Sequence, residues 1–150
     1  MIYSHYSKFT GEWLWGNFAI EKLSCPCCGE YYHDSDSLDL LQSARNTTSK
    51  AMYINSGHRC KKHNKEVGGR QKSQHLRMAF DISLRGFEKE ELITILFKAG
   101  FTTFGMYNSF IHTDKRSYRK WYGCKQSVWG NIYNKVIKGV NHGLAKQIQR

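Results

Sequence analysis

Residues 73–82 read SQHLRMAFDI, and residues 110–114 read FIHTD. These two stretches contain His75, Asp81 and His112, which are two imidazoles and one carboxylate. Three protein ligands of this kind hold a catalytic zinc ion and leave a fourth coordination position open. Zinc makes water nucleophilic near neutral pH, so a chain that brings these side chains together is expected to be a hydrolase.

Hydrophobic patterns around the two stretches predict neighbouring strands. Residues 78–83 read as a strand, with His75 at its start. Residues 104–107 and 110–113 read as two more strands, joined as a hairpin by the polar pair between them. Adjacent strands lie about 4.8 Å apart, so metal ligands on neighbouring strands can converge on one ion.

Helical patterns complete the predicted α+β fold. Residues 88–99 carry apolar side chains at helical spacing and end at a glycine, which is typical of a helix C-cap. Residues 36–45 predict a shorter helix with Asp36 as its N-cap. Residues 51–55 add a strand, and a polar loop is expected to follow it. We therefore expect a small antiparallel sheet with helices packed on one side.

Length and composition predict one globular domain over residues 1–150. The chain is 40% hydrophobic and 14% aromatic, which favours a packed core over disorder. Its net charge of +11 favours polyanionic partners, among them nucleic acid, anionic lipid and acidic wall polymers. The start of the chain lacks the pattern of a signal peptide, so we expect synthesis in a cytoplasm.

The C-terminal segment is basic and reads as a separate extension of this domain. Residues 128–150 predict a partly amphipathic helix, interrupted at Gly139 and Gly143. Such a helix either covers the core with its apolar side or is attracted to an anionic cell-envelope surface. No catalytic residue is expected within residues 122–150.

A cysteine-rich pattern supports a rival interpretation. Cys25 and Cys28 form a CxxC pair, and Cys60 and His63 form a CxxH pair. Thiolate and imidazole at this spacing can form a closed, structural zinc site. Combined with the net charge, the pattern is also typical of a zinc-ribbon protein that binds nucleic acid.

Several segments, in the same order along the chain, resemble the M15 family of zinc peptidases, which includes D-Ala-D-Ala carboxypeptidases. The resemblance is closest to the small phage endolysin-type branch of this family. The segments are NFAIEKLSC (17–25), INSGHRC (54–60), HNKEVGG (63–69), SQH (73–75), AFDI (79–82) and FIHTD (110–114), followed by Trp121. The resemblance covers about residues 18–121, which is roughly two thirds of the chain. It implies the LAS/hedgehog-like zinc peptidase fold and one catalytic zinc ion.

The resemblance also implies roles for individual residues. His75, Asp81 and His112 take the metal-ligand positions. Arg59 takes the position of an arginine that faces the substrate, where a guanidinium can stabilise an oxyanion. The expected substrate-facing residues are Ser73, Gln74 and Tyr107. Cys25 and Cys60 take family-typical positions that either pack together or form a bond.

The chain departs from the family pattern at two places. Five residues separate His75 from Asp81, where the family usually has six, and on a straight strand this deletion would turn Asp81 to the other face. Ser109 stands where many relatives carry an acidic general base. Asp114 is the nearest carboxylate, so we expect it to be either the base or a partner of His112.

We therefore expect a monomeric zinc metallopeptidase, either an endopeptidase or a carboxypeptidase, that cuts a peptide bond in peptidoglycan. It would act as an endolysin on the cell wall after release from the host cytoplasm, with no nucleic-acid partner. Two alternatives stay open: the zinc-ribbon protein that uses Cys25, Cys28, Cys60 and His63, and an inactive relative of the peptidase.

Overall fold

Two sheets and several short helices form residues 1–139, the part of the chain that the computed structural model describes. The strands are β1 (Ile2–Tyr3), β2 (Tyr31–Tyr32), β3 (Ile54–Ser56), β4 (Phe80–Ser83), β5 (Thr103–Met106), β6 (Phe110–Asp114) and β7 (Lys120–Tyr122). The α-helices are α1 (Ile20–Leu23), α2 (Ser35–Asn46), α3 (Lys61–Glu66) and α4 (Lys89–Ala99). Residues 132–139 are also helical, so this helix begins after the predicted residue 128, which ends a 3-10 turn (Gln126–Val128); the part of the predicted helix from residue 140 on lies outside the described residues.

The larger sheet has the strand order β3-β4-β6-β5-β7. Its first four strands pair antiparallel in that order, whereas β7 runs parallel to β5. The predicted α+β class and the hairpin of β5 and β6 are confirmed. The edge strand β7 was not predicted, because three residues are too few to show an alternating pattern.

The two faces of this sheet have different chemistry. The face toward α2 and α4 is buried and mainly apolar; its side chains include Phe80, Ile82, Phe104, Met106 and Ile111. Because successive side chains of a strand alternate between faces, the residues between these point the other way. Asp81 and His112 therefore lie on the face opposite the main core. Within residues 1–139, no helix combines the length and apolar composition that crossing a membrane requires.

Helix α3 lies where a continuous polar loop was expected. Its sequence, KKHNKE, has no apolar stripe, so hydrophobic periodicity does not reveal it. Local hydrogen bonds define it instead: the Cys60 sulphur at the N-cap accepts from the His63 backbone N–H at 3.3 Å. The buried Asn64 side chain donates to the Arg70 carbonyl at 3.0 Å and ties the helix to the chain that follows it.

Helix α2 begins one residue earlier than predicted, and its N-cap is Asp34 rather than Asp36. The Asp34 carboxylate accepts from the Ser37 backbone N–H at 3.4 Å and from the Ser37 hydroxyl at 3.1 Å. It also pairs with Lys115 at 2.7 Å. Two aspartates so close together are equivalent in a sequence pattern, and the contact with Lys115 is long-range, so the pattern cannot choose between them.

Replacing Asp34 with alanine is expected to lower the free energy of unfolding by about 1 to 2 kcal/mol, the usual effect of losing an N-cap. Burial acts to raise the pKa of Asp34, but hydrogen bonds from Lys115 and Ser37 lower it below its ordinary value. The stabilisation is therefore complete above about pH 3.9 and is lost as the pH falls through the lowered pKa. Denaturant unfolding at several pH values measures both effects.

The exposed neighbour provides the matched control. Asp36→Ala removes the same charge from the same helix turn, and we expect a loss of at most about 0.5 kcal/mol from the helix dipole. Equal losses from the two variants would show that Asp34 does not act as the cap.

Candidate metal centre

One row of residues crosses the larger sheet and forms the base of the candidate site. Neighbouring members of this row are register partners on adjacent strands: Ser56 with Asp81, Asp81 with His112, His112 with Gly105, and Gly105 with Trp121. Residues directly opposite each other on paired strands point to the same face. Asp81 and His112 therefore lie side by side on the face away from the main core.

His75 reaches this pair from a single 3-10 turn, Gln74–Leu76, and not from the start of β4 as expected. The Ser73 hydroxyl caps this turn by accepting from the His75 backbone N–H at 3.2 Å. The His75 carbonyl accepts from the Arg59 backbone N–H at 2.6 Å. The imidazole Nδ1 of His75 lies 2.6 Å from the Gly57 carbonyl oxygen. A carbonyl only accepts, so Nδ1 carries the proton and Nε2 keeps its lone pair.

The turn also explains how the chain accommodates the short spacing between His75 and Asp81. Strand alternation applies only to residues within one strand, and β4 begins at Phe80. The segment between the turn and β4 therefore absorbs the missing residue without changing the face on which Asp81 lies. The pairing of β3 with β4 contains a register shift between Ile54 and Ser56, which brings Ser56 opposite Asp81.

Three atoms that can act as metal ligands form a nearly equilateral triangle, here called the triangle. His75 Nε2 lies 3.1 Å from Asp81 Oδ1 and 3.1 Å from His112 Nδ1, and His112 Nδ1 lies 3.0 Å from Asp81 Oδ1. Zinc bonds of about 2.0 to 2.1 Å in a tetrahedral site separate neighbouring ligand atoms by about 3.3 Å. The triangle matches that separation closely. These residues could therefore hold a divalent metal ion.

Arg59 lies beside the triangle and contacts Asp81 directly. Its Nη2 donates to Asp81 Oδ2 at 3.1 Å, and its Nε donates to the Ser56 hydroxyl at 3.0 Å. The two oxygens of Asp81 thus have separate roles, one toward the imidazoles and one toward the guanidinium. Burial acts to raise the pKa of Asp81, but the imidazoles of His112 and His75, which hydrogen-bond to the carboxylate and attract it when the rings are protonated, hold that pKa well below its usual range. The carboxylate is ionised at neutral pH and can act as a metal ligand.

Asp114 lies behind His112, on the side away from the other two ligands. Its Oδ2 lies 2.8 Å from His112 Nε2 and accepts from Arg116 Nη2 at 2.9 Å. Its Oδ1 accepts from Arg116 Nε at 2.9 Å and from the Arg116 backbone N–H at 3.0 Å. The negative partner keeps the proton on His112 Nε2, so Nδ1 offers its lone pair to the triangle.

These contacts also affect proton affinity. Burial acts to raise the pKa of Asp114, but hydrogen bonds from His112 and Arg116 hold it well below its usual range. Burial acts to lower the pKa of His112, but the hydrogen bonds that its protonated ring donates to Asp114 and Asp81 raise this pKa overall. A general base works best when its pKa lies near the operating pH. Asp114 is therefore better suited to orient His112 than to accept a proton from water.

An aromatic wall stands on the β7 side of the triangle. The Trp121 ring centroid lies 5.1 Å from that of His112, and the indole N–H donates to the Tyr107 hydroxyl at 3.0 Å. A side-chain carbon at Gly105 would come within 2.5 Å of the indole, so glycine leaves the room that Trp121 fills. Tyr107 is half-buried and contacts the site through Trp121.

Of the other predicted substrate-facing residues, Ser73 caps the turn that carries His75, and Gln74 is a half-buried member of that turn. Sequence reasoning missed three contributors: Ser56, Gly105 and Trp121. Ser56 and Trp121 were part of the family pattern but had no assigned role. Gly105 becomes recognisable only through its register with His112.

The predicted cysteine cluster forms with one different member. Sulphurs of Cys25, Cys27, Cys28 and Cys60 all lie within 4.8 Å of one another. His63 was expected here, but its imidazole Nδ1 lies 4.0 Å from the Glu66 carboxylate, and only its backbone N–H contacts Cys60. Because Cys60 is the N-cap of α3, its sulphur faces the first-turn N–H groups, while the His63 side chain runs along the helix surface.

Comparison with known proteins assigns the chain to a family. A family model described as Peptidase M15 matches residues 18–114, about two thirds of the chain, and this segment contains all three members of the triangle. No match is found among curated proteins. The chain therefore belongs to the M15 peptidase family, and this membership implies that it is a metallopeptidase.

Proposed function

We propose that this metallopeptidase uses one zinc ion to hydrolyse a peptide bond in the stem peptides of bacterial peptidoglycan. The observation that carries the proposal is the triangle of His75 Nε2, Asp81 Oδ1 and His112 Nδ1 in an M15 chain. Two imidazoles and one carboxylate are a ligand set of catalytic rather than structural zinc sites. Zinc bound there would supply a Lewis acid that activates water and polarises the scissile carbonyl.

The surrounding residues have roles that follow from their contacts. The Gly57 carbonyl and the Asp114 carboxylate each hold the far nitrogen of one imidazole, which fixes both rings for metal binding. Arg59 is fixed by Ser56 and Asp81. Among residues 1–139, no protein atom accepts a hydrogen bond from Arg59 Nη1. This permanently charged donor is therefore available to stabilise negative charge on a substrate oxygen.

The peptidoglycan substrate and the endolysin role are supported by charge and by the family. A net charge of +11 attracts anionic polymers of the cell envelope and raises their local concentration at the protein surface. We propose a monomer made in the host cytoplasm that acts on the wall after release. The cysteine cluster lies within the segment matched by the peptidase model, so it does not indicate a separate zinc-ribbon domain.

A second candidate function is that of an inactive relative, which binds stem peptides without cutting them. Two observations favour it. Position 109, where many relatives carry an acidic base, is a serine, and its carbonyl accepts a hydrogen bond from the Leu84 backbone N–H. Asp114, the nearest alternative, has both oxygens bonded to His112 and Arg116.

Incubation with defined muropeptides separates these functions. The zinc-loaded protein and a chelator-treated sample are each mixed with cross-linked and uncross-linked stem peptides, and the products are identified by mass. Cleavage at L-Ala–D-Glu, D-Ala–diaminopimelate or D-Ala–D-Ala, lost with chelator and restored by zinc, is the expected result. Peptide binding without cleavage would instead favour the inactive relative. Neither binding nor cleavage by the zinc-loaded protein would contradict both.

A further inference from the structure

The four sulphurs of Cys25, Cys27, Cys28 and Cys60, here called the sulphur cluster, have the spacing of metal ligands. All four lie within 4.8 Å of one another, and Cys27 lies 3.5 Å from both Cys25 and Cys60. A zinc–sulphur bond is about 2.3 Å, so a tetrahedral site separates its sulphurs by about 3.8 Å. The two separations of 3.5 Å lie slightly below that value, and the limit of 4.8 Å on every pair allows all four sulphurs to surround one ion.

Backbone hydrogen bonds fix the loop that carries three of these cysteines, and one reaches the sulphur of the fourth. Gly29 has φ +76°, a left-handed conformation that lets the chain turn sharply after Cys28. The Gly29 N–H donates to the Cys25 carbonyl at 2.8 Å, and the Cys25 N–H donates to the Glu30 carbonyl at 2.8 Å, which closes the loop. The backbone N–H of His63 donates to the Cys60 sulphur at 3.3 Å.

We propose that the sulphur cluster binds a second, structural zinc ion, independent of the triangle of His75, Asp81 and His112. Four thiolates complete a tetrahedral shell and leave no position for water or substrate, which is the form of a structural site. Zinc favours thiolate ligands and requires no redox partner. The His63 N–H group directed at the Cys60 sulphur would stabilise that thiolate, because a hydrogen bond to the charged form favours it.

The position of the cluster indicates what this ion would stabilise. It joins the loop of residues 25–28 to Cys60, which directly follows Arg59 in the chain. The same two segments are also joined by His58, whose N–H donates to the Leu23 carbonyl at 2.9 Å and whose Nε2 lies 2.8 Å from the Glu30 carboxylate. A structural ion here would fix the backbone that carries Gly57 and Arg59, and through them His75.

Zinc content of the full-length chain tests the proposal without reference to peptidase activity. His75→Ala removes one ligand of the triangle, and we expect this variant to retain one zinc ion per chain. Adding Cys60→Ser should remove that ion, and because serine is a good N-cap, helix α3 should remain capped. Cys27→Ser replaces an exposed side chain and provides a second variant with little risk to folding. Cys124→Ser is the matched control, since Cys124 lies outside the cluster and contacts the Met106 carbonyl.

Cobalt substitution identifies the ligands directly. In the His75→Ala background, cobalt bound by the cluster should show intense thiolate-to-cobalt charge-transfer absorption, unchanged by Cys124→Ser and lost or strongly reduced by Cys60→Ser. Zinc-free His75→Ala protein in which all four thiols of the cluster are reactive would overturn the proposal. So would a mass lower by two hydrogens for each disulfide among these cysteines. Protein that neither binds nor cleaves any muropeptide but retains the cysteine-bound ion would contradict only the proposed function.

Discussion

Replacing His75 with alanine is expected to lower kcat/KM for stem-peptide hydrolysis by about 10³-fold or more, because the metal loses one of three protein ligands. His75 is the best ligand to test because it lies on a turn. Its carbonyl bond to the Arg59 N–H and the cap from Ser73 involve its backbone, so alanine retains both. Substituting Asp81 would in addition leave Arg59 without its carboxylate partner.

The measurement combines muropeptide kinetics with zinc content. His63→Ala is the matched control, because it removes a histidine of helix α3 that belongs neither to the triangle nor to the sulphur cluster. We expect that control to keep both its activity and its zinc. A His75→Ala variant that hydrolyses stem peptides at the original rate would show that the triangle is not the catalytic metal site.

Asp114→Asn is expected to weaken zinc binding at the triangle by about 10- to 100-fold, the usual effect of losing the carboxylate behind a histidine ligand. The amide has the same shape but no charge, so it holds the proton on His112 Nε2 less firmly. It also places an N–H group against Arg116, which now donates to both carboxylate oxygens. Arg116→Ala should shift zinc affinity in the same direction but by less, since it acts through Asp114.

Titration with zinc distinguishes the two roles considered for Asp114. If it orients His112, excess zinc should restore most of the rate of the Asp114→Asn variant. If it is the general base, zinc affinity should remain near that of the unmodified chain while the rate stays low at saturating zinc. The second outcome would overturn the role that the contacts with His112 and Arg116 indicate.

Local sequence patterns were sufficient to predict those elements whose structure depends on residues close together in the chain. Helix α4 and the hairpin of β5 and β6 follow from apolar spacing and turn residues within about a dozen positions. Helix α3 was missed because its sequence is polar on every side and its stability comes from hydrogen bonds at its ends. The parallel pairing of β7 with β5 joins segments separated by strand β6 and the loop after it, and a linear pattern does not contain that information.

The candidate site shows the same division. The types of its three ligands were recognisable from two short stretches, but the turn that carries His75 was not. Spacing alone also suggested His63 for the sulphur cluster, whereas the structure has Cys27 there. Whether a side chain faces the cluster depends on where helix α3 begins. Cys60 is the N-cap of this helix, so its sulphur faces the cluster, whereas His63 lies inside the helix. The partnership of Asp114 with Arg116 required the fold of the loop after β6.

The two imidazoles of the triangle differ in whether a point substitution can remove the group that orients them. The far nitrogen of His75 is held by a main-chain oxygen, whereas that of His112 is held by a carboxylate side chain. No point substitution can delete a peptide carbonyl, so the orientation of His75 is protected from mutation at the position that supplies it. The basicity of His112, in contrast, can be adjusted one amino acid at a time. Directed evolution toward other metals or a different working acidity should therefore accumulate its changes around positions 114 and 116.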